Sequence, residues 1–102
     1  MLDVKQYMKR PVCVEAVEFR DDNKDMVLNW CLSLQMNCFP AFDENRKPVI
    51  TIPTSEGNMV CNLGDFVIKE PFPVPGRMLY PCKGDVFRQT YQAYDPTAIA
   101  NQ

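Results

Sequence analysis

The sequence predicts an α+β fold: a single small domain with a mostly antiparallel twisted sheet, one amphipathic helix packed on a face and a short C-terminal helix. Short alternating segments rich in β-branched residues recur between turn signals, and one longer segment has helical periodicity. The length of 102 residues fits one domain. We therefore predict a domain over 1–102, with a folded core over 8–94 and a flexible tail over 95–102.

The first predicted strand is Val12–Phe19, in which apolar side chains alternate. Pro11 precedes it, at a position where the missing N–H of proline costs no hydrogen bond between strands. Glu15 and Glu18 interrupt this apolar pattern. Such charges are typical of a partly solvated sheet edge, where they discourage pairing with another edge. A polar contact inside a cleft or an interface is the alternative interpretation.

The next segment has the periodicity of an amphipathic helix, predicted over 22–36 with Asp22 as its N-cap. Its apolar positions follow a three- and four-residue spacing: Met26, Val27, Trp30, Cys31 and Leu34. Trp30 is interpreted as a core anchor, because a large ring on the apolar face of a helix usually packs inside. A short extended piece, Asn37–Phe42, follows.

The chain then forms a predicted three-strand meander over Val49–Lys69. Its strands are Val49–Thr54, Met59–Asn62 and Phe66–Lys69. Gly57 and Gly64 stand in the two intervening turns, where glycine accepts a positive φ. Together with the flanking segments, the meander predicts one sheet of about five or six strands.

The last third of the chain begins with Glu70–Gly76, in which three prolines favour a stiff extended loop. Phe72 at its centre is predicted to be an exposed apolar anchor. Arg77–Cys82 is predicted as a strand. A short helix over Val86–Tyr91 follows, with Asp85 as its N-cap.

Composition excludes several classes of protein. The net charge of −2 argues against a duplex nucleic-acid binder, which usually carries a basic surface. No apolar run approaches the roughly 18–20 residues of a membrane span, and the polar first residues have no secretory pattern. We therefore expect no membrane partner and a cytosolic protein.

Catalytic and metal-binding patterns are missing from the sequence. The chain has no histidine, and its five cysteines contain no C-x-x-C pair, so we expect no zinc site and no cofactor. Without imidazole, the usual nucleophilic triads are excluded. Cys82 lies next to Lys83, and a nearby cation could lower its pKa, but no base partner is visible. We therefore predict no catalytic residues and a protein that is not an enzyme.

A binding surface is the remaining interpretation. Arg77, Tyr80 and Lys83 place a cation, a ring and a second cation within one short segment. Cations suit phosphates, and an aromatic ring suits a base. A solvated sheet edge accounts for the same three residues equally well.

Three segments resemble a large group of small phage-encoded proteins. They are KRPVCVEAVEF at 9–19, ITIPTSEGNMVCNLGDFVIK at 50–69 and YPCKGDVFRQTY at 80–91. The group's pattern is similar to KxPVxVEA, TxEGxM, GDxxIK and YPCKxDxF in that order. The sequence departs from it at 70–77, where the pattern has a shorter glycine-bearing link.

This resemblance implies a function in counter-defence. One class of such phage proteins consists of sponges that bind cyclic-nucleotide immune signals, such as the cyclic dinucleotides of CBASS systems, in oligomer interfaces. A chain similar to that class is expected to be a homo-oligomer in the host cytoplasm that sequesters its ligand without catalysis.

The expected ligand-binding residues follow from that hypothesis. Arg10, Arg77 and Lys83 would hold phosphates. Tyr80 would stack on a base. Thr54 and Glu15 would form hydrogen bonds with a base edge or a ribose.

Two other functions remain open at this point. The acidic composition and the proline-stiffened loop also fit an inhibitor or adaptor that binds a host defence protein directly, with Phe72 as the anchor. A virion accessory protein is the third interpretation.

Overall fold

The computed structural model describes residues 1–8, 10–72 and 78–94. The flexible tail predicted over 95–102, most of the proline-rich loop and Arg77 lie outside the described residues. The described part contains two helices and six strands, so the predicted α+β class is confirmed. In chain order the elements are β1 Glu15–Glu18, α1 Lys24–Ser33, β2 Phe39–Phe42, β3 Pro48–Thr54, β4 Gly57–Asn62, β5 Phe66–Lys69, β6 Leu79–Cys82 and α2 Gly84–Thr90.

The described strands form two antiparallel sheets of three strands each, whereas the sequence predicted one larger sheet. Sheet A has the order β1-β5-β6, and sheet B has the order β2-β3-β4. Each sheet therefore has two outer strands whose outer backbone groups have no partner in that sheet. Among the described residues, neither helix is long and apolar enough to span a membrane.

The first turn of the predicted meander is confirmed. Thr54 lies opposite Gly57 in the β3–β4 register, and Gly57 has a φ of +106°. The Thr54 hydroxyl donates to the Gly57 carbonyl at 2.7 Å and accepts from the Glu56 N–H at 3.2 Å. This side chain closes the hairpin locally, as threonine commonly does in turns.

The third strand of the predicted meander was wrongly paired. β5 does not continue sheet B but lies between β1 and β6 in sheet A, with Glu18 opposite Phe66. Phe19 fixes this arrangement, because its N–H donates to the Asp65 carbonyl at 2.8 Å and its carbonyl accepts from Gly64 at 2.8 Å. The strand that follows the turn is therefore held against β1 rather than against β4.

Strand β1 is shorter than the predicted Val12–Phe19. It pairs with β5 from Glu15, opposite Lys69, to Glu18. After Lys69 the Glu70 N–H donates to the Met78 carbonyl at 2.6 Å, on the side of β6, and Pro71 has no N–H. The segment before Glu15 therefore finds no continuation of β5 to pair with.

Helix α1 is also shorter than the predicted 22–36, and Asp22 is not its cap. Asn23 occupies the N-cap position, without a side-chain bond to the helix. Its side chain bonds instead backward, accepting from the Arg20 N–H and donating to the Glu18 carbonyl, each at 2.8 Å. Asn23 is buried, so it ties the start of the helix to the end of β1.

The main core lies among α1 and both sheets. Its buried side chains come from the loop after β1, from α1 and the segment after it, and from the sheets: Phe19, Val27, Cys31, Met36, Cys38, Ile50, Ile52, Cys61, Val67 and Leu79. Trp30 is partly buried and packs against this cluster, as predicted. Full burial of a large apolar side chain contributes about 1.5–3 kcal/mol, so this cluster is the main source of stability.

Helix α2 covers part of sheet A with aromatic rings. Phe87 stacks on Phe66 with ring centroids 3.9 Å apart, and Tyr91 stacks on Phe87 at 4.8 Å. The Arg88 guanidinium lies 5.4 Å from the centroid of the Phe66 ring. The helix begins at Gly84 rather than at the predicted Val86, because Lys83 and not Asp85 occupies the N-cap position.

Gly84 is buried where α2 meets the turn after β4. A Cβ atom at this position would collide with the carbonyl oxygen of Gly64, which is a backbone atom and cannot rotate away. The close contact between α2 and this turn is therefore possible only because Gly84 has no side chain.

We expect Gly84→Ala to lower the free energy of unfolding by roughly 1–3 kcal/mol, the usual cost of inserting atoms into a packed site. Gln89→Ala, at an exposed position of the same helix, is the control and should change stability by less than about 0.5 kcal/mol. Urea denaturation of the two variants measures the difference. Equal stabilities would show that the helix shifts freely from the turn.

Candidate functional site

A cleft of about 570 Å³ lies where the β3–β4 hairpin of sheet B approaches strand β6 of sheet A. Its described lining comes from the hairpin, from the chain after β5 and from β6. The residues are Thr54, Ser55, Glu56, Met59, Glu70, Phe72, Leu79, Tyr80 and Pro81. A cleft of this size is in the range that holds small-molecule ligands.

Two aromatic residues, Phe72 and Tyr80, line the cleft. Phe72 is 74% exposed, so most of its ring is open to a ligand. Tyr80 is half-buried on β6. Burial raises the pKa of the Tyr80 hydroxyl above its usual range, and a hydrogen bond with Tyr91 raises it further. The phenol therefore stays neutral at physiological pH.

Thr54 presents a fixed hydroxyl at one wall of the cleft. Its proton is donated to the Gly57 carbonyl and one lone pair accepts from the Glu56 N–H. A hydroxyl oxygen has two lone pairs, so one acceptor position is left for a ligand donor.

Carboxylates give the cleft its charge. Glu56 and Glu70 line it, and the described lining contains no Lys or Arg. Ionised carboxylates accept hydrogen bonds only. The described part of the cleft therefore suits a ligand face that donates hydrogen bonds, and it would repel a phosphate.

The structure brings three of the predicted residues together and places three others, Arg10, Glu15 and Lys83, outside the described cleft lining. Thr54, Tyr80 and Phe72 line the cleft. Arg10 is exposed in the segment ahead of β1, and Arg77 lies outside the described residues. The latter's role in phosphate binding stays a prediction.

Lys83 and Glu15 each have another ionic partner outside the cleft. The Lys83 ammonium lies 3.6 Å from the Asp65 carboxylate, whose side chain is only 11% exposed. Asp65 in turn accepts from the Asn62 N–H at 3.0 Å. Lys83 thus offsets the charge of a buried turn residue. Glu15 pairs with Lys69 at 3.4 Å.

Glu56, Met59 and Glu70 are lining residues that the sequence did not single out. Glu56 stands in a turn and Glu70 follows a strand, both places where a solvated carboxylate is the default expectation. Only the approach of the two sheets makes them neighbours. No local signal in the sequence could have predicted that approach.

The five cysteines differ in their exposure, from exposed Cys13 to buried core thiols. No cluster of three or more potential metal ligands is found among the described residues. Cys31, Cys38 and Cys61 are buried. Burial raises the pKa of Cys82, and Asp65 and Asp85 raise it further, contrary to the lowering expected from Lys83.

Cys61 is fully buried in the core, and its burial together with Asp65 raises the pKa of its thiol to about 12, against a partly opposing effect of Lys83. The thiol of the unfolded chain ionises first, near the ordinary thiol pKa of 9.0. Burying the neutral thiol therefore contributes fully to the free energy of unfolding below pH 9.0. This contribution is lost as the pH rises from 9.0 toward 12, because the unfolded state is then favoured by ionisation.

We expect the free energy of unfolding in urea to change little from pH 8 to pH 9 and to fall from pH 9 to pH 11 in the presence of a reductant, by at most about 1.4 kcal/mol per pH unit for each such thiol. Cys61→Ala should be less stable at pH 8 and should lose less stability over the same range. An identical pH dependence in the variant and the parent would contradict this assignment.

No protein-family model matches the chain, and neither the curated proteins nor the solved structures contain a match to it.

Proposed function

We propose that the chain holds a small ligand with a planar, hydrogen-bond-donating base in the cleft between the two sheets, without transforming it. The observation that carries this proposal is the convergence of Phe72, Tyr80 and Thr54 with two glutamates in one cleft. None of these side chains needs to react for such a ligand to bind.

The recognition of a base would combine stacking with carboxylate contacts. Stacking of a base on an aromatic side chain contributes about 1–3 kcal/mol per base, and Phe72 and Tyr80 offer rings for it. Amino and ring N–H groups at a base edge are hydrogen-bond donors, which Glu56 and Glu70 can accept. The free lone pair of Thr54 can accept one more.

Cyclic nucleotides are the ligand class that we propose, and the support for them is the resemblance of the three sequence segments to small phage proteins. Because the described cleft is acidic, the base would enter it and the phosphates would stay outside. Cations at the phosphates would come from Arg77 or from another protomer of a homo-oligomer. Counter-defence in the host cytoplasm is part of the same proposal.

The test of this proposal is a thermal-shift assay with cyclic di- and trinucleotides. A ligand at about one hundred times its Kd stabilises a protein by roughly 2.7 kcal/mol, which raises the Tm of a domain of this size by about 10 °C. We expect at least one purine-containing cyclic nucleotide to give such a shift and to be recovered unchanged. If no member of the panel raises the Tm at millimolar concentration, the proposal is wrong.

The role of the cleft can be tested at exposed Phe72 and at half-buried Glu70, since replacing a side chain that is not buried limits damage to the fold. We expect Phe72→Ala and Glu70→Gln each to weaken binding of the stabilising nucleotide about tenfold, the effect of roughly 1.4 kcal/mol. Phe42→Ala is the matched control, since Phe42 is also 74% exposed but lies on β2, away from the cleft lining. Isothermal titration calorimetry measures the affinities. Equal effects of the two phenylalanine variants would argue against binding in this cleft.

A second candidate function is direct binding of a host protein, favoured by the exposure of Phe72. A protruding aromatic side chain is a frequent anchor of protein interfaces. The same pair of variants separates the two functions. A partner that Phe72→Ala releases and Phe42→Ala retains, in a chain that binds no nucleotide, would favour this candidate.

A further inference from the structure

The charged groups of the cleft indicate which base it takes. Within the described lining, Glu56 and Glu70 carry the charge, and an ionised carboxylate can only accept hydrogen bonds. Thr54 and Ser55 also line the cleft, but a hydroxyl group both donates and accepts, so it discriminates poorly between bases. The choice of base therefore depends on the carboxylates.

Both carboxylates are available to a ligand. Neither forms an ion pair with a described residue. Lys69 precedes Glu70 in the chain, but its ammonium group pairs with Glu15 at 3.4 Å. Glu70 is half-buried, whereas Glu56 is exposed in the hairpin turn. Because water competes less for a half-buried carboxylate, Glu70 is the stronger discriminator of the two.

The strand register places Glu70 beside the ring of Tyr80. The Glu70 N–H donates to the Met78 carbonyl at 2.6 Å, which extends the β5–β6 ladder by one row beyond its last residue pair. Tyr80 lies opposite Ile68, two residues before Glu70. Side chains two residues apart on a strand share a face, so Glu70 and Tyr80 are diagonal neighbours within reach of each other.

The electrostatics of Tyr80 agree with this placement. The charge of Glu70 adds to the effects of burial and of Tyr91 in raising the pKa of the Tyr80 hydroxyl. The carboxylate therefore lies close enough to the ring to act on its hydroxyl group. A base stacked on Tyr80 would present an edge to Glu70.

The base-pairing edges of the bases differ in how they match a carboxylate. Guanine presents two neighbouring donors, the ring N1–H and the amino group at C2, and the two oxygens of one carboxylate accept both. Adenine and cytosine present one amino group beside a ring nitrogen that accepts. Uracil presents one N–H between two carbonyl oxygens. Opposite these other bases a carboxylate gains one hydrogen bond at most and faces a lone pair that stays unpaired.

We propose that the cleft is specific for guanine, with the base stacked on Tyr80 and its N1–H and amino group donating to the carboxylate of Glu70. This inference rests on the proposed function, and it adds the identity of the base and the residue that determines it.

The test uses isothermal titration calorimetry with cyclic di-GMP, cyclic di-IMP and cyclic di-AMP. These three ligands share one sugar–phosphate ring and differ only in the base. Hypoxanthine, the base of cyclic di-IMP, keeps the N1–H of guanine and lacks its amino group. We expect the affinity to fall at each step, with cyclic di-AMP bound about tenfold or more weakly than cyclic di-GMP, since a bidentate contact discriminates by that much.

A conservative variant tests the role of Glu70. Glu70→Gln replaces one acceptor oxygen by an amino group, so the side chain then matches the donor and acceptor of adenine and mismatches guanine. We expect cyclic di-GMP to bind about tenfold more weakly and cyclic di-AMP at least as tightly as to the parent chain. Glu44→Gln removes the same charge from an exposed loop residue outside the cleft lining and should leave the preference unchanged.

The other outcomes separate this inference from the proposed function. If cyclic di-AMP binds as tightly as cyclic di-GMP, or if the tightest ligand of the thermal-shift panel contains no guanine, the guanine inference is overturned and the proposed function stands. If Glu70→Gln weakens both ligands equally, or if Glu56→Gln alone changes the preference, Glu70 does not read the base. If no cyclic nucleotide binds, both proposals are wrong.

Discussion

The turn between β4 and β5 determines the rest of the structure. Two hydrogen bonds hold this turn: the Asp65 N–H donates to the Asn62 carbonyl at 2.9 Å, and the Asn62 N–H donates to the Asp65 carboxylate at 3.0 Å. Gly64 adopts the φ of +91° that the turn requires. Phe19 then bonds to both Gly64 and Asp65 from the end of β1. These bonds send the chain out of sheet B and into sheet A.

The candidate site follows from that change of sheet. Because β5 leaves β4, the hairpin of sheet B faces β6 across a gap instead of continuing one flat sheet. The gap is the acidic, aromatic cleft. Because β5 pairs with β6 instead of β4, Glu70 at the end of β5 comes to lie beside Tyr80 in the lining of this cleft.

The sequence was sufficient for what local interactions decide. The helix stripe, the Gly57 hairpin and the strand around Phe66 could be predicted, because periodicity and turn chemistry are local. The partner of β5 could not, because the choice between β4 and β1 depends on the distant residue Phe19. The predicted cap at Asp22 failed for a related reason, since Asn23 bonds backward to β1 and sets where the helix starts.

The candidate site shows the same limit. Tyr80 and Phe72 could be selected from the sequence as aromatic residues near cations, and both line the cleft. Lys83 was selected on the same grounds, but its charge lies beside the buried carboxylate of Asp65, which is distant in sequence. The acidic lining by Glu56 and Glu70 follows only from how the sheets meet.

The contact between Gly84 and the Gly64 carbonyl has a consequence for the way this sequence can diverge. Gly64 has a positive φ, and Gly84 has no room for a side chain. Neither requirement belongs to a binding surface. A descendant that no longer bound any ligand would still need both glycines in order to fold. Finding both glycines in a diverged relative would therefore show that it inherited this fold, and it would say nothing about the function of that relative.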